Sequence, residues 1–502
     1  MKQKPSLLLI RIVLSILVLS SSCDENDDPA VIIKPDLIFY GLTASNQIIQ
    51  YNANAPEYPI STLTVTGVQS GEMLMAIDFR PATGQLYGVG STSRIYTINL
   101  ASGLATPIGA NPFTPAISGG IVGFDFNPTV DRIRLVTGAG QNIRLHPETG
   151  AAAAVDSDLN PGSFNVNAVA YANSFAGASS TTLFDIDIAS QKLFMQDPPN
   201  DGKLVEVGPL GITPTDDGGF DISPDNSFAL ASLTVNGMNG LYQVDLNKGN
   251  ATNLGNFSEA IIGLAIPTNP VAYSVDASNN LIIFDFTKSN AYVSKSITGL
   301  QMSETILGID MRPLTGQLYA LGSSSRLYTI NMATGAATAV GTGPFDPLLK
   351  GNSFGFDFNP TVDRIRIVSD MGQNLRANPI TGAIAAIDAD LNPGTPAVSA
   401  AAYASNFAGT TTTTLYDIDL TTDKLYRQTP PNDGKLEEVG PLNIDIASNN
   451  GFDIGGNSNM AYGLFTVGST TKLYQINLAN GTSTALLDGP AGINGLAVGL
   501  GF

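Results

Sequence analysis

This chain repeats itself at two scales, and the finer of the two dictates its architecture. The twelve residues GFDFNPTVDRIR at 123–134 return at 355–366, a shift of 232 residues. The same shift carries TGQLYGVGSTSRIYTINLASG from Thr83 onto TGQLYALGSSSRLYTINMATG from Thr315, and PPNDGKLVEVGPL from Pro198 onto PPNDGKLEEVGPL from Pro430. Inside each copy lies an older, more divergent hexamer, seen as RIYTIN at 94, TLFDID at 182 and GLYQVD at 240, and in ten places altogether. Successive hexamers end 47, 48, 40, 58 and 40 residues apart, then 46, 48, 40 and 58, so the chain is built of ten units of about 47 residues.

Each unit has one grammar. A short strand such as MAIDF or VGFDF ends at Pro, a second such as QLYGVG follows a turn, the hexamer is a third, and LATPIG or its equivalent is a fourth. Runs of about five residues in period-2 alternation, broken by Gly, Asn, Asp and Pro, predict antiparallel meanders. Four strands in 40 to 50 residues is the pattern of a propeller blade, and no such unit buries both sheet faces alone, so units must lean on one another radially. The predicted fold is therefore an all-β β-propeller of four-stranded antiparallel blades.

Two closures fit. The first unit starts at DLIFYGL without an inner strand, while IIGLAIP at 261–267 and INGLAVGLGF at the chain end are spare inner strands. Two tandem five-bladed propellers, each sealed by its own spare, satisfy this pattern, and so does one ten-bladed ring. A whole-copy duplication implies autonomous halves, which favours two rings over residues 36–267 and 268–502.

Within 502 residues, 43% are apolar, 13% are charged, and Gly is abundant at 52. A net charge of −19 excludes nucleic acid as a partner, because backbone phosphates require a basic surface. One Cys and one His exclude a disulfide framework and any Cys- or His-rich metal site.

At the start of the chain, Lys2, Lys4 and Arg11 precede the apolar run 12–19, and Ser20, Ser21 and Ser22 lead to Cys23. The apolar run is far shorter than a bilayer requires, which predicts a signal peptide over 1–22. The small residues before a lone Cys resemble the bacterial lipoprotein signal, although Ser20 stands where that signal usually has Leu. The stretch Asp24, Glu25, Asn26, Asp27, Asp28 looks like the acidic tag of surface-directed lipoproteins. The resemblance implies a lipidated Cys23, an acidic linker over 23–35 and a surface-exposed outer-membrane lipoprotein held by acyl chains. An ordinary signal peptide with an incidental Cys is the alternative.

Each copy of the repeat also resembles an uncharacterised bacterial family, the domain of unknown function 4394, over about residues 36–500. GFDFNPTVDRIR and DLNPG, at Asp158 and Asp390, are the most specific stretches. That family brings no activity with it.

Candidate chemistry lies in three places. Asp78, Asp125, Asp221, Asp310, Asp357 and Asp453 recur at one position of the inner strand, which lines a propeller channel. A ring of carboxylates there, with Asp125 and Asp357 foremost, would bind Ca²⁺ or another hard cation. Alternatively, each carboxylate accepts backbone N–H bonds locally. Arg132, Arg134 and Arg144, with Arg364, Arg366 and Arg376, gather on one hairpin per copy in an Arg-poor chain. They are candidates for gripping a carboxylate or glycan, with inter-blade Arg–Asp pairing as the structural alternative. The pairs Asp185 and Asp187, and Asp417 and Asp419, share a strand face, and nothing in the sequence shows the split environments that acid–base chemistry needs. His146 becomes Asn378 in the second copy and reads as a turn residue.

The expected function is non-catalytic: a lipid-anchored envelope propeller that binds or scaffolds a glycan, a peptide or another envelope protein. The rival is a propeller lactonase, hydrolase or lyase whose metal sits on channel carboxylates.

Overall fold

The computed structural model describes residues 34–502 apart from 121, 217, 290, 448 and 449. The signal peptide over 1–22, Cys23 and nearly all of the acidic linker lie outside the described residues.

Ten four-stranded antiparallel sheets make up the described chain. A typical blade runs outward through Leu74–Phe79, Leu86–Gly90, Arg94–Ile98 and Ala105–Ile108, matching the four-part grammar of the repeat. Closure decides between the two arrangements. In the first copy the blade at the start of the chain takes its inner strand from Ile261–Ala265, which pairs antiparallel with Ile38–Thr43. In the second copy Ile493–Val498 pairs in the same way with Ala272–Asp276.

Side-chain packing agrees with the strand pairing. Phe39, Ile49 and Tyr51 of the first blade share one buried cluster with Leu230 and Leu241 of the fifth blade of the same copy. Ile282 and Phe284 do likewise with Leu464 and Leu473 in the second copy. The protein is thus two tandem five-bladed propellers, and the single ten-bladed ring is excluded. Each seal hides what would otherwise be an exposed strand edge.

Within a ring, blades meet through apolar side chains on both sheet faces, as where Ile186 and Leu193 pack against Phe220 and Leu233. Glycine lets the inner strands converge. A Cβ on Gly219 would lie 2.1 Å from Leu264 N, and one on Gly451 would lie 2.3 Å from the Gly495 carbonyl carbon. The channels are accordingly narrow, with free space of about 10 Å³ beside the inner strands of each ring.

The two rings touch. Arg80 Nη1 donates to Gly316 O at 3.2 Å, Tyr273 Oη donates to Ala82 O at 2.9 Å, and Gly501 N–H donates to Thr83 O at 2.9 Å. Phe175 and Ala176 of the first ring and Val271, Phe284, Tyr292 and Val293 of the second enclose a cavity of about 310 Å³ at this seam.

Candidate functional site

In the first ring, Asp78, Asp125 and Asp221 come from the inner strands of the second, third and fifth blades. Each offers one carboxylate oxygen, and these oxygens all lie within 4.8 Å of one another; Asp310, Asp357 and Asp453 repeat the cluster in the second ring. The remaining two blades of the first ring carry Ala170 and Ala265 at this position.

The inner edge of a blade has no further strand to pair with, so its N–H groups must find other acceptors. The carboxylates supply them. In the first ring Phe79 and Phe126 donate to Asp78 at 2.7 and 2.8 Å, Tyr171 donates to Asp125 at 3.0 Å, and Ile222 and Ile266 donate to Asp221, both at 2.6 Å. Met311, Phe358, Tyr403, Ile454 and Val498 donate in the same pattern in the second ring. Five N–H groups thus meet six carboxylate oxygens per ring. The N–H that would serve Asp125 is that of Phe126, which the preceding blade's Asp78 has taken. Among the described residues, Asp125 Oδ2 and Asp357 Oδ2 accept no hydrogen bond.

Electrostatics make this costly. All six side chains are buried, and no described Lys or Arg is hydrogen-bonded or ion-paired to them. Burial first, then repulsion from Asp78 and Asp221, drives the Asp125 carboxyl well above the carboxylate range. Burial, then Asp310 and Asp453, does the same to Asp357. Asp78 and Asp310 are also raised well above that range, chiefly by burial, while burial lifts Asp221 and Asp453 to about 7. Each cluster needs protons or a bound cation to exist at neutral pH.

The candidate arginines lie elsewhere. Arg134 is buried, with Nη1 donating to Asn142 Oδ1 and Asp156 Oδ2, both at 2.6 Å, and Nη2 to Asn200 Oδ1 at 2.8 Å. Asn200 belongs to the turn Pro199–Asp201 of the next blade, so Arg134 bolts two blades together. Arg144 reaches Asp156 through Nε and Nη2, both at 2.8 Å. Arg366, Arg376, Asp388 and Asn432 repeat the arrangement. Burial pushes the Asp156 carboxyl up, but bonds from Arg144 and Arg134 outweigh it and hold the group below its ordinary range. Arg132 and Arg364 are half-buried, each donating Nη1 to the preceding carbonyl, at 2.7 and 2.8 Å.

Asp185 and Asp417 have a different environment from their neighbours. Asp187 accepts from Asn165 N at 2.6 Å and Ser190 N at 2.9 Å, whereas both oxygens of Asp185, and both of Asp417, are buried without a partner. His146 sits in a turn, where Nδ1 accepts from Glu148 N at 3.3 Å; burial, then the Arg132 and Arg80 charges, presses it down to about 4.

Two features escaped the sequence reading. Arg80 is wholly buried and holds Asp131 by two bonds, Nε to Oδ1 at 2.9 Å and Nη2 to Oδ2, while Nη2 also meets Glu148 at 2.9 Å. The second ring keeps only Arg312 with Asp363, because Ile380 replaces Glu148. The seam cavity is the other, where an ion pair, Lys288 Nζ to Asp285 Oδ2 at 2.9 Å, stands beside apolar walls.

Fold and site together define a tandem five-bladed β-propeller with a buried three-aspartate cluster in each channel. The family model for the domain of unknown function DUF4394 matches residues 47–265 and 280–497, and the chain belongs to that family. No curated protein matches it. Among solved structures it is similar to the extracellular domain of the putative one component system BT4673 from B. thetaiotaomicron, at 12% identity and TM-score 0.27. That likeness covers 91% of this chain but 66%, just under two thirds, of the other. Dihydro-heme d1 dehydrogenase NirN in complex with DHE is similar at 12% identity and TM-score 0.24, over 82% of this chain and 74% of that one. The nidogen/laminin complex follows at 9% identity and TM-score 0.26, over 59% and 90%. Likenesses this slight add nothing to the strand pairing described above.

Proposed function

We propose that the protein is a non-catalytic binding or scaffolding propeller of the cell envelope, anchored to the outer membrane through lipid on Cys23 and facing outward. Its partner is a glycan, a peptide or a neighbouring envelope protein. One observation carries the non-catalytic part: the six channel aspartates are buried, each at most 2% exposed, and present no open face to a substrate. A lactonase, hydrolase or lyase working on those carboxylates would need its substrate to reach them. The roomier cavity at the seam, about 310 Å³, is within the size range of ligand sites and is walled mainly by aromatic and aliphatic side chains, with Asn269, Asp285 and Lys288 as polar members among the described residues.

Tyr292 at the rim of that cavity is 51% exposed, positioned for a ligand to lie on. Screening the purified protein against envelope glycans and a peptide panel is expected to find a ligand whose affinity falls at least about tenfold in Tyr292→Ala, as for a truncated aromatic anchor. Turnover of lactone or glycan substrates that disappears in Asp125→Asn with Asp357→Asn would overturn the reading. For the anchor, Cys23→Ala is expected to move the protein from membrane pellets into the soluble fraction, and undiminished membrane retention would refute lipidation.

A further inference from the structure

We infer that each channel cluster is a binding site for one hard divalent cation, so that the protein carries two such ions, one at the heart of each ring. The inference stands apart from the seam ligand and survives if none is found. Two observations point to an ion beyond the crowding of acids. The first is the unequal count of donors and acceptors. Backbone N–H groups satisfy five of the six oxygens in each ring and leave Asp125 Oδ2 and Asp357 Oδ2 without a donor among the described residues, on residues only 1% exposed. The second is space nearby: a cavity of about 10 Å³ lies among the inner strands of each ring, lined by Ala76, Phe124 and Phe220 in one ring and Ile309, Phe356 and Phe452 in the other. These residues immediately precede Asp125, Asp221, Asp310, Asp357 and Asp453, or stand two before Asp78.

The donor set selects the ion. Every ligand is a carboxylate oxygen, which suits Ca²⁺ and Mn²⁺ and leaves nothing for a soft metal. Oxygens within 4.8 Å of one another can share one ion at calcium's bond length of about 2.4 Å. The hydrogen bonds from the inner strands use one lone pair on each bonded oxygen and fix the three carboxylates in orientation, as outer partners do at metal sites. Three negative charges against two positive ones leave one proton per cluster. The narrow inner strands make the ion a hub that joins three blades.

The test uses the mature protein stripped with EDTA and titrated with CaCl₂ by calorimetry, with bound metal counted by mass spectrometry after gel filtration. Two Ca²⁺ per chain and a thermal midpoint raised by several degrees are expected, since a ligand held only by the folded state stabilises it. Asp125→Asn should leave one ion per chain, bound in the second ring, and Asp357→Asn one in the first; the double variant should leave none. Should Asp125→Asn fail to fold, the wild-type count still decides. No Ca²⁺ bound at millimolar concentration, with an unmoved midpoint, overturns the inference; so does undiminished binding in a folded double variant.

Discussion

Arg134→Ala is expected to cost the first ring roughly 3–5 kcal/mol, the range for removing one partner of a buried ion pair. The guanidinium side chain is 2% exposed and that of Asp156 6%. Without Arg134, Asn142 and Asn200 each lose a bond, and Asp156 keeps only Arg144. Arg134→Lys should recover little, because one ammonium cannot span acceptors on two blades as a planar fork does. Arg144→Ala, removing a side chain 31% exposed, should cost about 1 kcal/mol or less. Urea unfolding of the three variants, with Arg366→Ala as the matched probe of the second ring, checks the order. An Arg134→Ala midpoint no lower than that of Arg144→Ala would show that the inter-blade bolt carries no weight.

Asp185→Asn with Asp417→Asn is expected to change how stability depends on pH while leaving it alone in acid. Burial lifts Asp185 to about 8, against the pull of Arg134 and with the help of Asp187; burial lifts Asp417 to about 8 against Arg366. A folded-state value above the unfolded one means that the native protein holds the extra proton. The resulting stability is complete below the ordinary carboxylate range and is lost as pH rises toward 8. Asn mimics the protonated acid in shape and charge, so variant and wild type should match near pH 4. At pH 8 to 9 the variant should be more stable by an amount on the order of a few kcal/mol. Thermal melts across that range measure the difference. Parallel curves for the two proteins would mean that Asp185 and Asp417 are ionised or paired in solution.

The repeat made the blades legible because each strand carries its own alternation and each turn its own Gly, Asn or Pro. Closure was legible only as a pair of alternatives, since IIGLAIP fits an inner strand wherever it pairs; the contact of Phe39 with Leu230 and Leu241 settles it. The channel aspartates showed in the sequence as a recurring position. What hid the bare oxygen on Asp125 is that its neighbour's N–H serves Asp78, a contact 48 residues away in sequence. Arg134 and Asn200 are 66 residues apart and meet only because adjacent blades pack face to face. Nothing in a duplicated sequence announces the seam: Phe175 and Phe407 lie in matching loops, yet Phe175 borders the second ring's first blade and Phe407 the first ring's second.

The late-arriving strands have a consequence for biogenesis. The edge at Ile38–Thr43 waits for residues 261–265, and the edge at Ala272–Asp276 waits for 493–498. Both latecomers contain Gly-Leu-Ala, so a half-made molecule offers an open groove that its own second latch, or that of another molecule, can occupy. Asn494 discriminates between them: its amide donates to Ile306 O at 3.2 Å, a bond that Ile262 at the matching position cannot make. Asn494→Ile would remove that bond and is expected to send more of the protein into swapped dimers on refolding, as read by gel filtration.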